Sequence, residues 1–392
     1  MRNLLMGTVM AGAMLASGPL AAQAVKFVTQ GVTDNEIVLG THTDLSGPIA
    51  AIGADGRDGL LMLVDEVNAA GGVNGRKIKL IVEDTGYDTK RAVLAGQKLV
   101  ERDKVFAIVF PFGTPTSLAT LPIAKEKGIP HLFPGSSGMA FHTPPHPLSY
   151  GYFLPERFFM KLGVDYAARE IKPKRVGAIY QGDDYGEAML AGAKEALARH
   201  KIELVEALSY KPGATEFSSH VSRLKAANVD LILLGTALRE LVAVARERQK
   251  LGWDVKLMGG FPAYNAIALL IGKDAMEGVY GVGQNKIYYV DTAPPQVKGW
   301  YERFRARFNR DPGPTAIASW NALSMTLEGI RQAGRNLTVE SFEQGMYKVR
   351  YKDIFDTPET TFTPQRHLPP AAGFIAQVRK QRWEILTPWM TE

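Results

Sequence analysis

The chain has 392 residues, 46% apolar and 22% charged, with a net charge of +6 and no cysteine. That length and balance suit a globular protein of about two ordinary domains. The basic residues are scattered, with no Lys/Arg block or basic aromatic stripe, which sets nucleic acid aside as a partner. Without cysteine there are no disulfides, thiolate metal sites, cysteine nucleophiles or lipid-bearing cysteine.

Arg2, the apolar stretch from Leu4 to Leu20 and the small-x-small site Ala22-Gln23-Ala24 predict an export leader over residues 1–24, cut before Val25. The run is short for a membrane span and is broken by Ser17, Gly18 and Pro19. The periplasm is the expected compartment.

After a polar lead-in, Glu36 to His42 reads as a first strand, with Asp44-Leu-Ser-Gly-Pro48 as its turn. A helix is expected from Ala54 to Ala70, with Leu60, Leu63, Val64 and Val67 on one face and Gly71-Gly72 as its stop. Lys77 to Val82 is a second strand and Arg91 to Glu101 a second helix. Phe106-Ala-Ile-Val-Phe110 is the kind of apolar run that makes a strand buried on both faces. Pro111 and Gly113 break it, Thr114 is expected to cap a helix ending at Gly128, and Ile129 to Phe133 follows as a fourth strand. It runs into Pro134-Gly-Ser-Ser-Gly138, a turn of small hydroxyls. This alternation demands right-handed crossovers and a mostly parallel sheet.

An irregular Pro- and Tyr-rich segment from His142 to Pro155 is the first candidate crossing to a second lobe. A second alternating series follows. Its strands are expected at Arg175–Tyr180, Ile202–Leu208, Val229–Leu234, Val255–Met258 and Gly278–Val282, with helices between them. Gly283 to Thr292 is a second candidate crossing, before long helices at Gln296–Asn309 and Thr315–Ala333. Gly373–Val378 and Arg382–Leu386 around Lys380-Gln381 read as a β-hairpin. The fold class is α/β, with two doubly wound, Rossmann-like lobes.

Catalytic motifs are missing. There is no phosphate loop, no G-x-S-x-G elbow and no H-E-x-x-H. His142 and His146 are separated by Pro144 and Pro145, which denies them one helical face, so no metal is expected. Asp183-Asp184 reads as a helix N-cap. In a doubly wound sheet the turns after the third and fourth strands lie together at the carboxyl ends, where ligands bind. An exported two-lobed protein with polar turns there and no catalytic groups points to reversible capture of a solute by hinge closure. No enzyme activity and no cofactor are expected.

Thr43-Asp-Leu-Ser-Gly-Pro48 with Gly53, Val67-Asn-Ala-Ala-Gly-Gly-Val-Asn-Gly75, Glu83-Asp84 with Asp88, Asp184-Tyr-Gly186 and Met276-Glu-Gly278 resemble, in this order, the leucine/isoleucine/valine-binding family. These are solute receptors of ABC importers with the type I periplasmic binding fold. The resemblance implies three crossings between an N-terminal lobe of 34–150 plus 285–350 and a C-terminal lobe of 152–283 plus 351–392. It implies permease subunits in the inner membrane as partners, and a monomer.

The resemblance also implies a site. The family holds a carboxylate with the two turns, here Gly113 with Thr114 and Thr116, and Gly135 with Ser136 and Ser137. The family's ammonium-binding acid is matched by Phe261, and its lobe-two Tyr by Ala237. Ile52, Tyr185 and Trp320 are implied as walls. The ligand expected is therefore a carboxylate without an α-ammonium, an aromatic or aliphatic acid. An amino acid stays open, with Phe261 as wall packing and an acid elsewhere binding the ammonium. A ligand-sensing domain of the same fold, acting in signalling, is the alternative function.

Overall fold

The computed structural model describes residues 26–289 and 291–391; the leader expected at 1–24 lies outside them. The first apolar runs form a five-stranded parallel sheet. It is built from β1 (Glu36–Thr43), β2 (Lys77–Asp84), β3 (Ala107–Val109), β4 (His131–Leu132) and β5 (Ser149–Tyr150), in the order β2-β1-β3-β4-β5. Its crossovers are α1 (Ala50–Ala69), α2 (Thr89–Gln97) and α3 (Thr114–Lys127). Every residue from Phe106 to Phe110 is buried, as a strand covered on both faces requires.

The second series starts with α4 (Glu156–Tyr166) and alternates through β6 (Arg175–Gln181), α5 (Asp184–His200), β7 (Glu203–Tyr210), α6 (Ser218–Ala226), β8 (Leu231–Gly235), α7 (Leu238–Lys250), β9 (Lys256–Gly259), α8 (Ala266–Gly272) and β10 (Tyr280–Gly283). The chain then makes α9 (Pro295–Phe308), α10 (Pro314–Ala333) and α11 (Val339–Met346). A small ribbon of β11 (Arg350–Tyr351) and β12 (Thr360–Thr361) follows, and then the hairpin β13 (Phe374–Arg379) and β14 (Arg382–Ile385). The second sheet has the order β14-β13-β10-β9-β8-β6-β7, parallel from β10 to β7 and antiparallel at the hairpin. Lys380 and Gln381, both at positive φ, make its two-residue turn.

The chain passes between the sheets at 151–155, at 284–294 and before Phe374. These passages are tied to one another. Gln284 accepts from the Leu154 N–H and donates to the Tyr152 carbonyl, each at 3.0 Å, and the Tyr152 hydroxyl donates to Asn285 Oδ1 at 2.8 Å. The Gly151 N–H donates to the His367 carbonyl at 2.8 Å, and the His367 ring stacks on Tyr150 with centroids 4.1 Å apart. Phe362 packs on Phe133 at 5.5 Å. Residues around 360–368 thus ride on the edge of the first sheet, and the chain joins the second sheet only at Phe374, later than the expected return at 351.

Three local expectations are corrected. The first long helix begins at Ala50 rather than Ala54, because the Asp44 carboxylate accepts the Ser46, Gly47 and Ile49 N–H groups and closes the turn early. Thr114 is not a cap: Gly113 holds the N-cap position at φ 98°, without a side-chain bond. The segment 142–155 is not all irregular, since Ser149–Tyr150 pairs with β4 as a fifth strand.

A buried carboxylate helps tie the helices after β10 to α1. Asp55 of α1, fully buried, accepts from the Gly313 and Ala316 N–H groups at 2.9 and 2.8 Å and from Arg310 at 2.8 Å. It thereby caps α10 from a neighbouring helix, where the orphan N–H groups and the helix dipole favour an anion. Asp55→Ala removes all three bonds, and we expect it to cost about 2–3 kcal/mol of folding stability. Urea unfolding of the variant beside the parent protein checks this; an unchanged midpoint would remove Asp55 as the tie.

Candidate functional site

Both sheets present the carboxyl ends of their strands to one cleft. Its first wall is the pair of turns after β3 and β4, sewn together by backbone bonds. The Gly113 N–H donates to the Gly135 carbonyl at 3.2 Å, and the Gly135 N–H to the Pro111 carbonyl at 2.8 Å. Glycine is required at 135, because a Cβ there would come within 2.1 Å of the Phe112 ring. At 113 the positive φ and the nearby Tyr87 ring, 2.8 Å from a built Cβ, impose the same.

The cleft holds about 70 Å³ open to the centres of water-sized molecules, against the roughly 10–15 Å³ that one water needs. That is room for a small solute. Of the residues expected from sequence, Ile52, Gly113, Thr114, Gly135, Ser136, Ser137, Tyr185, Ala237 and Phe261 are brought together around it. Two are not. The Thr116 hydroxyl turns back into α3 and donates to the Phe112 carbonyl at 2.7 Å, because a threonine inside a first turn finds that acceptor closer than the cleft. Trp320 lies instead in the apolar cluster of α9 and α10, edge-on to Trp300 at 5.6 Å, since its place on α10 faces that helix pair.

The second wall is aromatic and aliphatic. Phe261 packs against Phe153 with centroids 4.3 Å apart and against Phe159 at 6.3 Å. Met189 and Ala237 continue this surface. The Ala237 N–H donates in effect to a neighbour's hydroxyl, that of Tyr210, at 3.1 Å. Across the cleft mouth, Gln181 Nε2 donates to the Tyr87 hydroxyl at 3.1 Å. Among the described residues no Lys, Arg or His lines the cavity.

One lining residue escaped the sequence reading and changes the chemistry. Glu156, the first residue of α4, is 2% exposed. Its Oε1 accepts from the Thr114 hydroxyl at 3.0 Å and from the Ser137 N–H at 3.3 Å. Its own N–H donates to the Ser137 carbonyl at 3.3 Å, and the Thr114 and Ser136 hydroxyls are 2.7 Å apart. The turns expected to hold a ligand's carboxylate already hold one of the protein's own. Burial pushes the Glu156 carboxyl up to about 7, against the lowering effect of the Ser137 and Thr114 bonds. In sequence, Pro155-Glu156 at a helix start reads only as an acid favouring the dipole; what brings it to the turns is the path of the first crossing.

Among the described residues no cluster of three or more His, Asp or Glu could hold a metal, and no helix is long and apolar enough to cross a membrane.

A folded-state pKa above the unfolded value stabilises the protein fully below pH 4.5 and less as the pH rises through about 7. Glu156→Gln removes that dependence. We expect the stability of the parent protein relative to the variant to fall by up to about 3 kcal/mol between pH 4.5 and 8, read by urea unfolding at each pH. A difference that stays flat would mean Glu156 is ionised throughout.

Comparison with known proteins agrees with this geometry. A family model described as "Periplasmic binding protein" matches residues 36–382. The Leucine-, isoleucine-, valine-, threonine-, and alanine-binding protein of Pseudomonas aeruginosa is 26% identical over 358 residues, covering 88% of this chain and 91% of that protein. A fatty acid ABC transporter substrate-binding protein from Thermomonospora curvata superposes with a TM-score of 0.82 at 23% identity, covering 94% of this chain and 95% of the other. An ABC-transporter solute binding protein of R. palustris in complex with benzoate gives 0.80 at 16% identity, covering 91% and 98%. The two lobes of parallel sheet thus have the architecture of solved solute-binding proteins, and the chain belongs to the periplasmic binding protein family.

Proposed function

We propose that this chain is the solute receptor of an ABC importer of the branched-chain-amino-acid type. It captures one small, apolar, carboxylate-bearing solute by closure of its lobes, with an aromatic or aliphatic acid favoured over an amino acid. The receptor works as a monomer in the periplasm after loss of the leader, and delivers its solute to permease subunits in the inner membrane. The lobes are 34–150 with 285–350, and 152–283 with 351–392, of which the residues around 360–368 pack on the edge of the first sheet.

The observation that carries this reading is the aromatic wall of Phe261, Phe153 and Phe159. An ammonium group set against it would lose its water without gaining a carboxylate at 261, and cation–π attraction offsets only part of that loss. A ring or alkyl chain gains there instead, at about 25 cal/mol for each Å² buried. The first-turn N–H groups of α3 suit an acid's oxygens. The structurally similar proteins described as binding benzoate and fatty acid support the acid class. The amino-acid reading draws on the P. aeruginosa relative, and on Glu156 as an acid elsewhere in the cleft.

A thermal-shift screen of residues 25–392 tests the choice, with the twenty amino acids beside benzoate, cinnamate and short aliphatic acids. A ligand at a hundred times its dissociation constant stabilises the native state by about 2.7 kcal/mol. The acids are expected to raise the melting temperature while leucine and valine leave it unmoved. The reverse result makes this an amino-acid receptor.

A further inference from the structure

Of the residues lining the cleft, Glu156 alone has a buried side-chain polar atom without a hydrogen-bond partner among the described residues: its Oε2. The two carboxyl oxygens are treated unequally. Oε1 receives both donors, the Thr114 hydroxyl and the Ser137 N–H, and Oε2 receives none. An ionised carboxylate shares its charge over both oxygens and has room for about four donors. Here one oxygen is without a donor, and among the described residues no cationic side chain lines the cavity to balance it. The pattern is that of a neutral carboxyl, with Oε1 as the carbonyl oxygen and Oε2 as the hydroxyl. A buried hydroxyl needs an acceptor. Among the described residues Oε2 has no hydrogen-bond partner, although the Ser137 hydroxyl is near enough to bear on the carboxyl, and Glu156 itself lines the solute space.

We propose that Glu156, in its protonated form, donates a hydrogen bond from Oε2 to a carboxylate oxygen of the solute, so that the cleft takes up an acid together with one proton. The inference rests on the acid-receptor reading above and adds how the acid is recognised. The solute's charge is shared between this donor and the N-terminus of α3, where Thr114 and Thr116 have N–H groups without intrahelical acceptors and Pro115 has none. Raising the pH ionises Glu156, which sets two like charges side by side and expels the solute. The titratable groups that face Glu156 are the Tyr87 and Tyr185 phenols, both held un-ionised at neutral pH by burial. Asp183 and Glu240, the carboxyls that with Glu156 bear on Tyr87, are shifted upward by burial, and Arg157 beside Glu156 is engaged with Glu195.

Titration calorimetry of the full mature chain with benzoate, from pH 5.5 to 8.5, tests this; benzoate stays ionised throughout. Affinity is expected to be level below pH 6.5 and to fall towards tenfold per pH unit above about 7. Near pH 8, heats measured in two buffers of different ionisation enthalpy should show uptake approaching one proton per benzoate. Glu156→Gln keeps a carbonyl for Thr114 and Ser137 and an N–H for the solute, so its affinity should be flat with pH. Benzoate binding that ignores pH, or that strengthens as pH rises, overturns the proton link and leaves the acid receptor standing. Failure of benzoate and of the aliphatic acids to bind even at pH 5.5 overturns both.

Discussion

The structure turns on a carboxyl of one lobe seated in the hydroxyl turns of the other. Glu156 opens α4, the first element of the second series, yet its Oε1 is held by Thr114 and Ser137, at the ends of β3 and β4. The chain has crossed between the sheets over only a few residues, 151–155, so this contact sets where the second lobe starts relative to the first. It also places an ionisable group in a cavity otherwise walled by aromatic and aliphatic side chains. Burying a bare carboxylate in such a place costs several kcal/mol. Burial favours the neutral form of the group, and one oxygen has two donors.

Around that contact the crossings form a braced unit. Gln284 uses both ends of its amide on the backbone of the first crossing, and Tyr152 reaches from there to Asn285 in the second. Asp55 fixes the start of α10 to α1 from inside the first lobe. Tyr152, Leu154 and Gln284 lie outside both sheets. Side-chain amides therefore supply the bonds that a sheet would supply elsewhere. Closure of the proposed lobes would need changes at only a few chain positions.

Sequence periodicity sufficed for the two alternating series, because buried parallel strands and amphipathic helices leave patterns within ten residues. It also pointed to the two turns of the first wall, whose position follows from strand order, whereas Ile52, Tyr185, Ala237 and Phe261 were implied only by the resemblance to a family. It failed where a side chain's direction is decided by neighbours far along the chain. Thr116 shares a turn with Thr114 but points into α3, a difference of helical phase that no composition reveals. Trp320 is drawn to Trp300 and Phe304, which a pairwise match to a family cannot see. Ser149–Tyr150 is too short to announce itself as a strand and exists because β4 offers it an edge. Glu156 carries no signal in the sequence beyond an acid near a helix start, and its role comes from a crossing.

The two departures at the site are connected. The resemblance implies an acid where Phe261 stands, on the far wall, to meet an ammonium. Here the acid lies at Glu156, on the wall of hydroxyls and helix N–H groups where a solute's carboxylate is expected. A carboxylate moved in this way does not serve the same solute. Beside a second carboxylate it must be neutral, and a neutral carboxyl is a donor rather than an anchor for cations. The far wall, freed of charge, is then apolar over Phe153, Phe159 and Phe261, and rewards a ring or chain with nothing to solvate. Phe261 alone would only remove affinity for amino acids. In the proposed reading, Phe261 and Glu156 together give a cleft polar at one end and apolar at the other, which suits a simple carboxylic acid.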